Sequence, residues 1–196
     1  MVLLGFTSLI AADEVNQTIP NGYRAIQTYW EVRISVDGPT APQWGTVEQA
    51  FANMSANYPG WSDAFPIRNF TDSPEAQNIS SQVSLYERES YFCGRPWHYC
   101  WRYAIVESIN YLYTVPGKPK NGPGPGECSG VSCKRRSAIW WCNDNKEQFE
   151  LQSYVDLADA AFWIYHYCRD ETLNVTAGQI FYKEHWNTIV TWNNDC

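Results

Sequence analysis

The sequence predicts an α+β fold: a small antiparallel sheet covered by two helices in an α/β sandwich, disulfide-stapled and carrying an N-terminal extension. Three observations predict it. The second half of the 196-residue chain reads helix, strand, helix, strand, strand by hydrophobic period. All seven cysteines, at 93, 100, 128, 133, 142, 168 and 196, fall in that half. Aromatic residues make up 16% of the chain and charged residues only 18%. That leaves apolar area for one ordinary core, in a chain that is not disordered throughout.

Each element has its own warrant. Residues 28–35 place Tyr29, Glu31, Arg33 and Ser35 at a period of two, the mark of a half-buried strand. Thr46-Val47-Glu48-Gln49 is a capping-box pattern that opens a short helix reaching about Tyr58, where Pro59-Gly60 ends it. The stretch 61–92 carries two acceptor sequons, Pro66, Pro74 and scattered polar residues, and reads as an exposed linker. From Trp101 to Thr114, Ile105, Ile109 and Leu112 recur at four and three, an amphipathic helix. Pro116 to Gly126 alternates missing donors with unconstrained glycines and reads as a loop throughout. Ser137-Ala-Ile-Trp-Trp-Cys142 is an apolar run of strand length. Ser153 caps a second helix whose Leu157, Ala161, Ile164 and Cys168 form its core stripe. Gly178–Tyr182 and Thr188–Trp192 are two closing strands, joined through Glu184-His185-Trp186-Asn187. The organisation is a signal peptide over 1–12, a strand-helix segment over 13–60, a linker over 61–92 and a cysteine-rich α+β domain over 93–196. Residues 13–92 read either as a removable pro-region or as a segment that adds a strand to the later sheet.

Export is expected on several grounds. The apolar run from Met1 ends in Ala11-Ala12 before Asp13 and reads as a short signal peptide lacking a basic start, with a buried N-terminal strand as the alternative. No other stretch approaches the ~20 apolar residues of a membrane span. Asn16, Asn53, Asn69, Asn78 and Asn174 each open an N-glycan acceptor sequon, five where random placement of 14 Asn and 25 Ser or Thr predicts about two. The cysteines lack any Cys-x-x-Cys pair, so a disulfide framework is favoured over zinc. Seven is odd, which leaves one thiol free or paired between chains, and Cys168 with Cys196 is a first pairing to test.

The run Asn121-Gly-Pro-Gly-Pro-Gly126, then Cys128-Ser-Gly-Val-Ser-Cys133, then Ser137-Ala-Ile-Trp-Trp-Cys-Asn-Asp-Asn145, with Ala177-Gly178-Gln179 and Trp186-Asn187, is distinctive. It resembles a family of small secreted cysteine-rich fungal proteins whose function is largely uncharacterised. The likeness covers roughly Cys93 to Cys196 and extends loosely to the strand at 28–35. A more distant, architectural similarity is to killer-toxin-like and necrosis-effector-like secreted fungal proteins, which implies action outside the cell on a competing or host organism. The family pattern implies six bridging cysteines, Cys93, Cys128, Cys133, Cys142, Cys168 and Cys196, with Cys100 extra and thus the candidate free thiol. The chain also departs from the family at Lys134-Arg135-Arg136, basic where small polar residues are expected. Those three residues read as an anion- or membrane-contacting patch, as a solvated turn, or as a dibasic processing site.

The function classes narrow by chemistry. A net charge of −7, with −6 of it in residues 1–92, argues against a nucleic-acid partner. His98, His166 and His185 form no zinc pair, and no nucleophile elbow or phosphate loop is present, so no cofactor and no metal site is assigned. The prolines at 123 and 125 remove the donors a phosphate cradle would need. Asp144 is the most suggestive catalytic carboxylate, although Asn143, Asp144 and Asn145 are also what a side-chain-bonded turn requires. Trp44, Trp61 and Trp97, read as loop residues, are candidates for a sugar-stacking platform. Trp140 and Trp141 are adjacent on a strand and point to opposite faces. The leading expectation is a secreted non-enzymatic effector-like or toxin-like protein meeting an extracellular target: a host or competitor surface, or cell-wall polysaccharide. A cell-wall carbohydrate-binding module is second, and a hydrolase with a carboxylate pair is third.

Overall fold

A computed structural model describes residue 19 and residues 22–70 and 86–196; Asn16, Asn78 and the expected signal peptide lie outside them. Among the described residues the fold is mixed α and β, with thirteen strands and four helices. It is therefore richer in sheet than a small sheet under two helices, and the expectation is corrected on that point. A six-stranded sheet runs in the order β1 (Arg24–Ile26), β7 (Glu127–Lys134), β8 (Ser137–Asn143), β13 (Trp186–Trp192), β12 (Gly178–Tyr182), β4 (Arg88–Cys93). Its pairs are antiparallel except β1 with β7. A second sheet has the order β3 (Thr40–Trp44), β2 (Tyr29–Arg33), β6 (Gly117–Asn121), β9 (Phe149–Glu150). A third, small sheet joins β10 (Arg169–Asp170), β11 (Val175–Thr176) and β5 (Cys100–Trp101).

The helices form where capping and periodicity place them. α1 (Val47–Asn57) opens on a reciprocal box between Thr46 and Gln49. α2 (Trp61–Ala64) is a single turn. α3 (Arg102–Thr114) buries Ile105, Ile109 and Leu112, and α4 (Tyr154–Tyr167) begins with a box between Ser153 and Asp156. α3 and α4 pack on one another and on one face of the large sheet, over Ile139, Trp141, Ile180, Tyr182, Trp186 and Val190. The other face carries Trp140, Cys128, Cys142 and Ile189, with Trp97 and Ile19 against them. Burial on both faces is why β8 has no polar side to its pattern. It also sends Trp140 and Trp141, neighbours in sequence, into two separate clusters.

Several elements differ from the sequence reading. β6 occupies the first part of the supposed loop. Pro119 is tolerated there because the strand uses its carbonyl, which accepts from the Leu151 amide at 3.1 Å. The rest of that stretch does stay a loop, and its glycines let it press against β8. A Cβ on Gly122 would lie 2.2 Å from Asn143 Nδ2, and one on Gly124 the same distance from the Asn143 carbonyl. β3 and β7 were hidden by Pro42 and by a run of small and polar residues, Ser129-Gly130-Val131-Ser132. The stretch 61–92 contains α2 at its start and β4 at its end, so ordered elements enter it from both sides. β13 begins at Trp186, which stacks on Tyr182 across the pair with centroids 3.9 Å apart, and His185 takes the left-handed turn position at φ 57°.

Cys93 is bonded to Cys168, Cys128 to Cys142 and Cys133 to Cys196. The expected Cys168–Cys196 pair is thereby corrected. Cys168, at the end of α4, meets the end of β4, while Cys196 folds back along the β7–β8 hairpin. Residues before Cys93 also build the main core: Trp30, Val32, Val47, Ala50, Met54 and Trp61 share one cluster with α3 and α4. No helix among the described residues is long and apolar enough to cross a membrane.

Candidate functional site

The basic run becomes the tip of the hairpin between β7 and β8. Lys134 pairs with Ser137, leaving Arg135 and Arg136 as a two-residue turn with φ of 51° and 61°. Such turns need positive φ at both positions, which is why Asn-Gly is their usual filling. The C-terminus holds this one in place. The Arg136 amide donates to the Cys196 carbonyl at 3.3 Å, and the Asn193 amide donates to the Arg136 carbonyl at 3.0 Å. The Cys133–Cys196 bridge lies directly behind the tip.

Aromatic rings surround the three cations. The guanidinium of Arg135 lies 5.3 Å from the Tyr103 ring centre, that of Arg136 5.7 Å from Trp192, and the Lys134 ammonium 5.4 Å from Tyr111. Trp101 stacks on Tyr103 with centroids 6.2 Å apart. Tyr99, Trp101 and Tyr103 are 50%, 40% and 43% exposed. Glu107 meets Lys134 at 2.6 Å and Arg135 at 3.6 Å, so it offsets part of the charge and braces the turn against α3. Sequence reasoning missed the rings. The one local signal was that Tyr103 and Glu107, four apart, lie off the Ile105–Ile109–Leu112 stripe.

The three candidate platform tryptophans separate. Trp61 and Trp97 are both 2% exposed and present no face to solvent. Their indole N–H groups donate to the Arg33 carbonyl at 2.8 Å and to Gln179 Oε1 at 3.1 Å, so each anchors its segment to the core. Trp44, 50% exposed, stands on β3 and meets Tyr29 edge-on at 5.6 Å. Beyond Tyr29 runs a groove of about 750 Å³ whose walls include Glu31, Arg33, Lys118, Lys120, Glu150 and Gln152.

Asp144, Asp156, Asp159 and Cys100 make contacts within the fold. Asn143 Oδ1 accepts from the Asn145 amide at 2.9 Å, closing the turn, and Asp144 Oδ2 accepts from Asn187 Nδ2 at 2.7 Å. Cys100 is the free thiol, 1% exposed; it donates to the Thr176 carbonyl, and burial pushes its pKa up to about 12. A thiol so placed is not a thiolate nucleophile at neutral pH. His98 precedes β5, His166 lies on α4 and His185 sits in the β12–β13 turn, all at the surface. Burial, then Arg169 and Arg102, hold the His166 imidazole below its usual pKa. Asp156 and Asp159, one turn apart on α4, are both raised by burial, Asp156 to about 6. Asp156 is engaged by the Ser153 amide at 2.9 Å, and Asp159 accepts from the Tyr113 hydroxyl. Among the described residues no group of three His, Cys, Asp or Glu is placed to hold a metal ion. Asn53, Asn69 and Asn174 are exposed, and the Asn69 carboxamide accepts from Asn110 at 3.4 Å.

No family model, curated protein or solved structure matches the chain. The arginine turn is the most strongly constructed of these surfaces, because three separate segments — the hairpin, the start of α3 and the C-terminal tail — converge on it.

Proposed function

We propose that this is a secreted, non-enzymatic protein, effector-like or toxin-like, that binds the surface of another organism through the arginine turn and its rings. The turn itself carries the reading. Two arginines occupy positions that Asn-Gly fills with less strain, and each guanidinium lies beside an aromatic ring at the molecule's edge. Trp, Tyr and Arg are the residue types that dominate binding hot spots. Export is supported by three disulfides, which persist in oxidising compartments, and by the sequons and the apolar start of the chain.

The test compares the whole glycosylated protein with an Arg135→Asn/Arg136→Gly variant, which keeps the turn and removes both guanidiniums. Labelled wild type should bind cells of a competing microbe or host and alter their growth, and the variant should bind at least tenfold more weakly. Wild type that neither binds nor affects any such cell over a wide dose range overturns the proposal. So does a variant as active as wild type.

A further inference from the structure

The outer face of the second sheet is a surface of a different kind. On β2, Trp30 and Val32 point into the core with no exposure, which turns Tyr29, Glu31 and Arg33 outward. On β3, Ala41 and Gln43 are buried while Thr40, Pro42 and Trp44 are exposed. Lys118 and Lys120 of β6 and Glu150 of β9 continue the same face. Tyr29 is directly opposite Trp44, and Glu31 lies opposite Pro42 on one side and Lys118 on the other.

The charges on this face alternate in sign. Lys120 meets Glu150 at 3.2 Å, and Lys118 meets Glu150 at 3.7 Å and Gln152 Oε1 at 3.2 Å. Glu31 accepts from the Tyr29 hydroxyl at 3.2 Å and from Thr40 at 3.3 Å. Two carboxylates and three cations thus line one groove of about 750 Å³, within the size range of ligand sites. Alternation cancels the long-range field that would gather a polyanion or polycation, while Val115, Pro116 and Val155 give the groove an apolar wall beside these charges. The face also offers acceptors and donors a few ångströms apart, and Trp44, across from Tyr29 on the neighbouring strand, adds an exposed indole outside the groove.

We infer that this face is a binding site for a neutral sugar chain. Each sugar hydroxyl is both donor and acceptor, so it can give a hydrogen bond to Glu31 or Glu150 and take one from Lys118 or Lys120. The C–H face of a pyranose carries partial positive charge and stacks on the negative face of the Trp44 ring. The inference does not depend on the arginine turn and fails or stands separately from it.

The test is titration calorimetry of the whole protein with three neutral hexasaccharides, of β-1,4-linked N-acetylglucosamine, β-1,3-linked glucose and mannose, alongside an oligogalacturonate of equal length. At least one neutral hexamer should bind, Trp44→Ala and Glu150→Gln should each weaken it tenfold or more, and Arg135→Asn/Arg136→Gly should bind as wild type. Both site residues are at the surface, and circular dichroism checks that each variant is folded. The inference is overturned if no neutral hexamer binds, if both site variants bind as wild type, or if the oligogalacturonate binds more tightly than every neutral one.

Discussion

Arg135 and Arg136 show how a residue choice can run against local stability. A non-glycine residue in the left-handed region costs roughly 1 kcal/mol, and both turn positions are in that region. Asn-Gly in their place should therefore raise Tm by a few degrees in thermal unfolding, while the loss of two guanidiniums weakens target binding. A fall in Tm would mean that the contacts to Tyr103 and Trp192 outweigh the strain. Cys100 gives a second prediction. With its thiol buried and its pKa near 12, iodoacetamide should leave the native protein unlabelled at pH 8 and add one group per chain after denaturation without reductant. Labelling of the native form at the rate of free cysteine would contradict its placement. At this scale the sequence was least legible. Loop-like sequence contexts for Trp44, Trp61 and Trp97 say nothing of which ring turns inward. The rings around the arginine turn come from residues 23 to 56 positions away from the cations they meet.

Elements are legible where the signal is local. The Thr46–Gln49 and Ser153–Asp156 boxes are side-chain chemistry within four residues, and the apolar stripes of α3 and α4 are periodic over three turns. Strands such as β3, β6 and β7 form because a partner supplies hydrogen bonds across the sheet, so a proline or a run of serines hides them. α4 also sets a pH dependence. Burial raises Asp156 to about 6 and raises Asp159 as well, so the folded state holds protons that the unfolded chain has released above its carboxylate pKa near 3.8. The contribution of Asp156 is complete below about 3.8 and is lost as pH rises through about 6, and that of Asp159 falls with rising pH in the same sense. With His166, whose lowered pKa acts in the opposite sense, replaced by Asn, urea unfolding should give a higher midpoint at pH 5 than at pH 7, and Asp159→Asn should narrow that gap. A higher midpoint at pH 7 in the His166→Asn protein would contradict the assignment.

The whole molecule is tied together more widely than a cysteine-rich half with a preceding tail. Trp30, Val47, Met54 and Trp61 fill the same cluster as α3 and α4, and β1 extends the large sheet by pairing with β7. The disulfide framework was legible from cysteine number and spacing, whereas the partners depend on which strands end side by side. The bridges enclose separations of 14, 63 and 75 residues. Closing the short loop costs about 1.3–1.5 kcal/mol less chain entropy than closing either long one. During oxidation from the reduced chain, Cys128–Cys142 should then be the dominant bond among species with a single crosslink, as mass mapping of trapped intermediates would show. Cys133–Cys196 interleaves with it along the chain and Cys93–Cys168 encloses it, so each later closure must draw a distant strand or the C-terminal tail onto a hairpin that already exists. Assembly would proceed outward from that seed, and the arginine tip would reach its final shape only when the C-terminal tail and α3 close upon it.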